Sequence, residues 1–85
     1  VRSDTMRPID NESALALRTS RYLKAELKRA GVTYEELAQR LRGQGLREET
    51  ADSIKAKLKR GTFPATFLIA ALAAIRVENV RLEDI

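Results

Sequence analysis

The sequence predicts an all-α fold, a compact bundle of four to five helices, and two features of its spelling predict it. Apolar residues recur at spacings of three and four, in Leu37, Ala38 and Leu41, in Ile54 and Leu58, and in Phe67, Leu68, Leu72 and Ile75, so each segment has a face to bury. Residues that start and stop helices stand at the ends of those segments: Asn11 and Thr33 as caps, Thr50 near a start, Gly31 and Gly61 as terminators, Pro64 at an entrance. The 85 residues make one domain, and a chain of this size buries only about 60 to 65% of its unfolded surface. There is room for one small core and none for a deep catalytic cleft.

Val1 to Asp10 is polar, holds Pro8 and lacks an apolar period, which reads as a flexible arm ahead of a domain spanning 11–85. Arg2 and Arg7 give such an arm the chemistry to enter a DNA groove, as homeodomain arms do, but simple disorder is the preferred reading. Asn11 is an N-cap and Glu12 suits the positive end of the helix dipole, so a helix can run as far as Ala30. Leu23 and Leu27, four apart with Tyr22 beside them, make its second half the stronger stripe. Ala14 to Leu17 is a weaker stripe and reads as a continuation, a separate short helix or a dimer contact. Gly31 closes the helix in the left-handed conformation, with Val32 able to clasp Leu27.

The next helix begins at Tyr34. Thr33 can accept from the backbone N–H of Glu36 while the Glu36 carboxylate accepts from the N–H of Thr33, and Val32 can staple against Leu37. The small Ala38 lets another helix cross closely. Gly43 or Gly45 ends this helix, and a further one starts near Thr50, buries Ala51, Ile54 and Leu58, and stops at Gly61. Its outward face is Asp52, Ser53, Ala56, Lys59 and Arg60, flanked by Lys55 and Lys57. After Gly61, Thr62 or Phe63 is expected to cap a helix whose first turn holds Pro64. Phe67, Leu68, Ile69, Leu72 and Ile75, with alanines between them, make that helix apolar on nearly every side, so it is the core spine, a face shared with a second copy, or both on different faces. Arg76 to Ile85 alternates loosely and could add a strand or a last helix.

Leu37-Ala38 ahead of a turn, Ile54 and Leu58 followed by Gly61, and an apolar helix behind a proline together resemble the helix-turn-helix of phage Cro and repressor proteins, the XRE type, over roughly Leu23 to Val77. The run RGTFPATFLIAALAAI also resembles a small bacterial domain family without an assigned function that is taken to be of this type. The resemblance implies a lambda-repressor-like bundle with its recognition helix at about 50–60. Two departures stand out: the connection from Gly43 to Glu49 is longer than the usual short turn, and the acidic residue often found before the closing glycine is replaced by Lys59 and Arg60.

Charge supports the same segment. The net charge is +4, and Ser20 to Gly61 holds eleven basic against six acidic residues while the flanking stretches are nearly balanced. Such a bias is the electrostatic footprint of a nucleic-acid reader, although cations also keep small proteins soluble. A helix-turn-helix puts the start of its second helix at base edges, which makes Thr50, Asp52, Ser53 and Lys55 the candidate readers. Arg40, Arg42, Arg47, Lys57, Lys59 and Arg60 are the candidate phosphate contacts, additive through counterion release. Against this, Glu48, Glu49 and Asp52 crowd the start of the reading helix, where they repel phosphate.

The expected function is therefore sequence-specific binding of double-stranded DNA by a transcriptional regulator acting as a homodimer. The alternative is a helical interaction or dimerisation module without DNA binding. With no cysteine and no histidine, the chain offers no nucleophile beside a base at recognisable spacing, no phosphate-cradling glycine loop and no metal cluster. No enzyme activity, cofactor or metal is expected. The longest apolar run, Phe67 to Ile75, is too short to span a bilayer and no leader opens the chain, so a soluble cytoplasmic protein is the expectation.

Overall fold

The computed structural model describes residues 11–85, so the expected arm of Val1 to Asp10, with Arg2 and Arg7, lies outside the described residues. The rest is all-helical: α1 (Glu12–Ala30), α2 (Tyr34–Gly43), α3 (Ala51–Arg60) and α4 (Ala65–Ala74), then a single 3-10 turn at Leu82–Asp84. α1 is one unbroken helix, so Ala14 to Leu17 continue it rather than forming a separate short helix. Its start is held by Asn11, whose side-chain oxygen accepts from the Ala14 N–H at 2.8 Å.

Three of the four helices end in the same way. At each end a residue two or three positions beyond the helix donates its N–H back across the last turn, and that residue is a half-buried hydrophobe packed on the core. Val32 bonds to the Leu27 carbonyl at 3.0 Å, Leu46 to Leu41 at 3.0 Å and Val77 to Leu72 at 2.9 Å. The residue before each one takes positive φ: Gly31 at 71°, Gly45 at 102° and Arg76 at 65°. Gly45 rather than Gly43 therefore terminates α2. Arg76 does without a glycine what the other two positions do with one.

The capping box expected at α2 is present. The Thr33 hydroxyl accepts from the Glu36 N–H at 3.1 Å, and a Glu36 carboxylate oxygen accepts from the Thr33 N–H at 2.9 Å. That backbone N–H, and then the Thr33 hydroxyl, hold the Glu36 carboxyl below the ordinary carboxylate range. α4 begins one or two residues later than expected from a cap at Phe63 or Thr62. Pro64 is its N-cap, without a side-chain cap bond, rather than a member of its first turn.

The core joins all four helices: Leu23 and Leu27 from α1, Leu37, Ala38 and Leu41 from α2, Ile54 and Leu58 from α3, and Phe67, Ala71 and Leu72 from α4. α4 is thus the spine on one side only. Ile69 on its other side is 66% exposed, and Leu17 on α1 is 51% exposed. The tail forms neither a strand nor an α-helix. Its backbone oxygen at Ile85 accepts from the Arg18 guanidinium at 2.8 and 3.0 Å, which ties the last residue to α1. Among the described residues no helix is long and apolar enough to cross a membrane.

Candidate nucleic-acid interface

α3 is anchored by the apolar edge that its spacing announces: Ile54 and Leu58 are fully buried. What remains outside is a stripe of Asp52, Lys55, Ala56 and Lys59, all exposed, with Arg60 beside it at the last turn. The helix starts in a reciprocal cap between Thr50 and Ser53, in which each hydroxyl oxygen accepts from the other residue's N–H, at 2.8 and 3.0 Å. The Ser53 hydroxyl also donates to a Glu49 carboxylate oxygen at 2.7 Å. It is committed as both donor and acceptor, whereas Thr50, Asp52 and Lys55 stay accessible.

The three acids at the start of α3 do not act together. Glu49 is only 8% exposed, and a buried carboxylate requires a partner. It has the Ser53 hydroxyl and the Lys57 ammonium, whose nitrogen lies 3.0 Å from it. Lys57 also stands 5.3 Å above the Phe67 ring centroid. The pair turns inward and cancels, so only Glu48 and Asp52 face solvent at this end.

The long connection is built rather than loose. Leu46 packs on the core, Glu49 is pinned through its side chain, and Arg42 donates to the Glu49 backbone carbonyl at 2.7 Å. Arg42 and Lys57 thus hold the connection onto α2 and α3. Arg40 donates to the Ala74 carbonyl at the end of α4, at 2.9 Å, on a different side of the molecule beside Arg76. Arg47 is exposed on the connection itself.

Lys55, Lys59 and Arg60 do converge, together with residues that the sequence did not single out. An open groove of about 880 Å³ runs between α1 and α3, and Arg21 and Lys24 of α1 line it opposite those three. All five cations are exposed, and none forms an ion pair among the described residues. Glu12 is the one carboxylate on the lining. Small residues make the floor. The Ser20 hydroxyl, buried, donates to the Leu58 carbonyl at 2.7 Å, and Gly61, at φ 81°, lies so near α1 that a Cβ there would meet the Ala16 Cβ at 3.0 Å. The two helices touch through hydroxyl and hydrogen, and the long basic side chains rise on either bank.

Such a groove concentrates positive potential, because like charges facing one another raise the field between them. Lys55 and Lys59, four apart on one helix, oppose helix stability slightly without an anion between them. Arg21 and Lys24 left a trace in the sequence: with Lys28 they recur at three and four along the polar side of α1. Nothing local says that this side lies next to α3.

A family model described as a domain of unknown function (DUF6471) matches residues 16–80. No curated protein and no solved structure matches the chain.

Proposed function

This chain belongs to the family of domains of unknown function DUF6471, and we propose that it is a cytoplasmic, sequence-specific binder of double-stranded DNA of the regulatory kind, with α2 and α3 serving as a lambda-repressor-like helix-turn-helix. The observation that carries the reading is the posture of α3. Its apolar edge is locked into the core through Ile54 and Leu58, and its outward stripe of Asp52, Lys55, Ala56 and Lys59 is exposed and unpaired among the described residues. A rod fixed on one side with a polar, cationic face on the other is what major-groove reading needs. The inward Glu49–Lys57 pair supports it further, since it takes one of the three acids away from the DNA side.

In this reading Thr50, Asp52 and Lys55 face base edges, and Ser53 shapes the start of the helix instead. Lys59, Arg60 and Arg47 meet phosphates, while Arg40, Arg42 and Lys57 keep the helices in place. A homodimer reading paired half-sites fits a domain with a single reading helix.

A second reading, a helical interaction or dimerisation module that binds no DNA, draws on the exposed side chains of Ile69 and Leu17. Affinity for a mixed-sequence duplex, measured against salt, separates the two. DNA binding gives a steep linear fall of log K with log salt concentration, and no binding even at low salt leaves the module. Arg60→Glu is expected to weaken duplex binding without changing the melting temperature; unchanged affinity removes Arg60 from the contacts.

A further inference from the structure

We infer that the groove between α1 and α3 seats one sugar–phosphate strand of the bound duplex, with Arg21 and Lys24 of α1 forming a second row of phosphate contacts opposite Lys55 and Lys59. The inference rests on the duplex-binding reading above and assigns to α1 a role that the α2–α3 pair cannot supply.

Three observations carry it. The first is the contrast in how the cations are used. Arg40, Arg42 and Lys57 each spend their donors on partners within the protein. Arg21, Lys24, Lys55 and Lys59 have none among the described residues, although they crowd one groove. Cations lining one groove repel one another in the free protein, and a polyanion laid between them offsets that repulsion.

The second is spacing. Arg21 and Lys24 are separated by roughly 4.5 Å along their helix axis and Lys55 and Lys59 by roughly 6 Å, steps of between about one and two times the rise of about 3.4 Å per phosphate along a strand. A chain of phosphates can therefore engage both rows in succession.

The third is position. If α3 lies in the major groove, a backbone strand must run along its flank, and α1 stands at that flank, held there by the Ser20 bond to Leu58 and by the close approach of Gly61 to Ala16. Because α1 meets phosphate and not base edges, its contribution is independent of sequence. It fixes where α3 sits and leaves discrimination to α3.

The test compares salt dependence of binding to a mixed-sequence duplex of about 20 base pairs, two helical turns, for three proteins. One is the wild type, one is Arg21→Gln/Lys24→Gln, and one is Arg29→Gln/Arg76→Gln, which lowers the net charge equally away from the groove. All four positions are exposed, and thermal melting checks that the variants stay folded. The α1 pair is expected to reduce the slope of log K against log salt concentration by about 1.8, near 0.9 for each phosphate that is no longer neutralised, while the control pair keeps the wild-type slope. If the two pairs behave alike while wild type binds, the second row is refuted and duplex binding stands. If wild type does not bind duplex even at low salt, the DNA reading falls and this inference falls with it.

Discussion

Replacing Gly61 by alanine tests how closely α3 is pressed onto α1, and hence whether the groove exists in the form described. Two costs are involved. Gly61 has φ 81°, where an L side chain is disfavoured by about 1–2 kcal/mol, partly offset by about 0.5–1 kcal/mol because alanine restricts the unfolded chain. The net backbone cost is about 1 kcal/mol. Gly31, at φ 71° with open space around an added Cβ, carries that cost alone. At Gly61 the new methyl meets the Ala16 Cβ at 3.0 Å and its carbonyl oxygen at 3.2 Å, so α1 or α3 must give way. Overpacking of this kind adds about 1–3 kcal/mol. Urea denaturation is therefore expected to show Gly61→Ala destabilised by about 2–4 kcal/mol and Gly31→Ala by about 1 kcal/mol, with unchanged m-values. Adding Ala16→Gly to Gly61→Ala should recover only part of the difference, because the clash with the Ala16 carbonyl remains and a glycine inside α1 itself costs about 1 kcal/mol. Equal losses for Gly31→Ala and Gly61→Ala would refute the close approach of α1 and α3.

Two further outcomes follow from other helix ends. Arg76→Gly should stabilise the domain by about 0.5–1 kcal/mol, the left-handed cost removed less the extra entropy of glycine in the unfolded chain; a lower melting temperature would show that the Arg76 side chain contributes more than its φ costs. Glu36 has a carboxyl below its ordinary value, so its part of the α2 cap is fully present above the unfolded carboxylate range, about pH 4.3, and is lost as pH falls through the lower folded value. The protection of the Thr33 amide against exchange, taken relative to its intrinsic rate at each pH, should therefore fall on acidification through that window in wild type, and Glu36→Gln should flatten the response. A Thr33 protection that stays constant there would mean that the cap bond is not made in solution.

Local spelling determined most of the scaffold. Asn11, Thr33 and Thr50 mark starts that the structure places at those residues, and Gly31 and Gly61 mark the ends, because caps are interactions within four or five neighbouring residues. The buried residues Leu23, Leu37, Ile54, Leu58 and Phe67 were legible for the same reason, since a helical period states which face is apolar. Arg76 as a terminator was not legible, because left-handed ends are read from glycine and an arginine there gives no sign of its φ.

What tertiary structure alone decided was the partner of each charge. Lys57 and Lys59 look equivalent on a helix wheel drawn for solubility, yet one is drawn in by Glu49 and Phe67 while the other stands free at the groove. Arg40 and Arg42 are absorbed by carbonyls thirty-four and seven residues away in sequence. Arg21 and Lys24 join the candidate site only because Ser20 and Gly61 let α1 lie against α3. Burial follows a residue's own chemistry and its position on a helix, both written locally. Charge pairing depends on distances of a few ångströms between segments far apart in the chain, and only packing sets those.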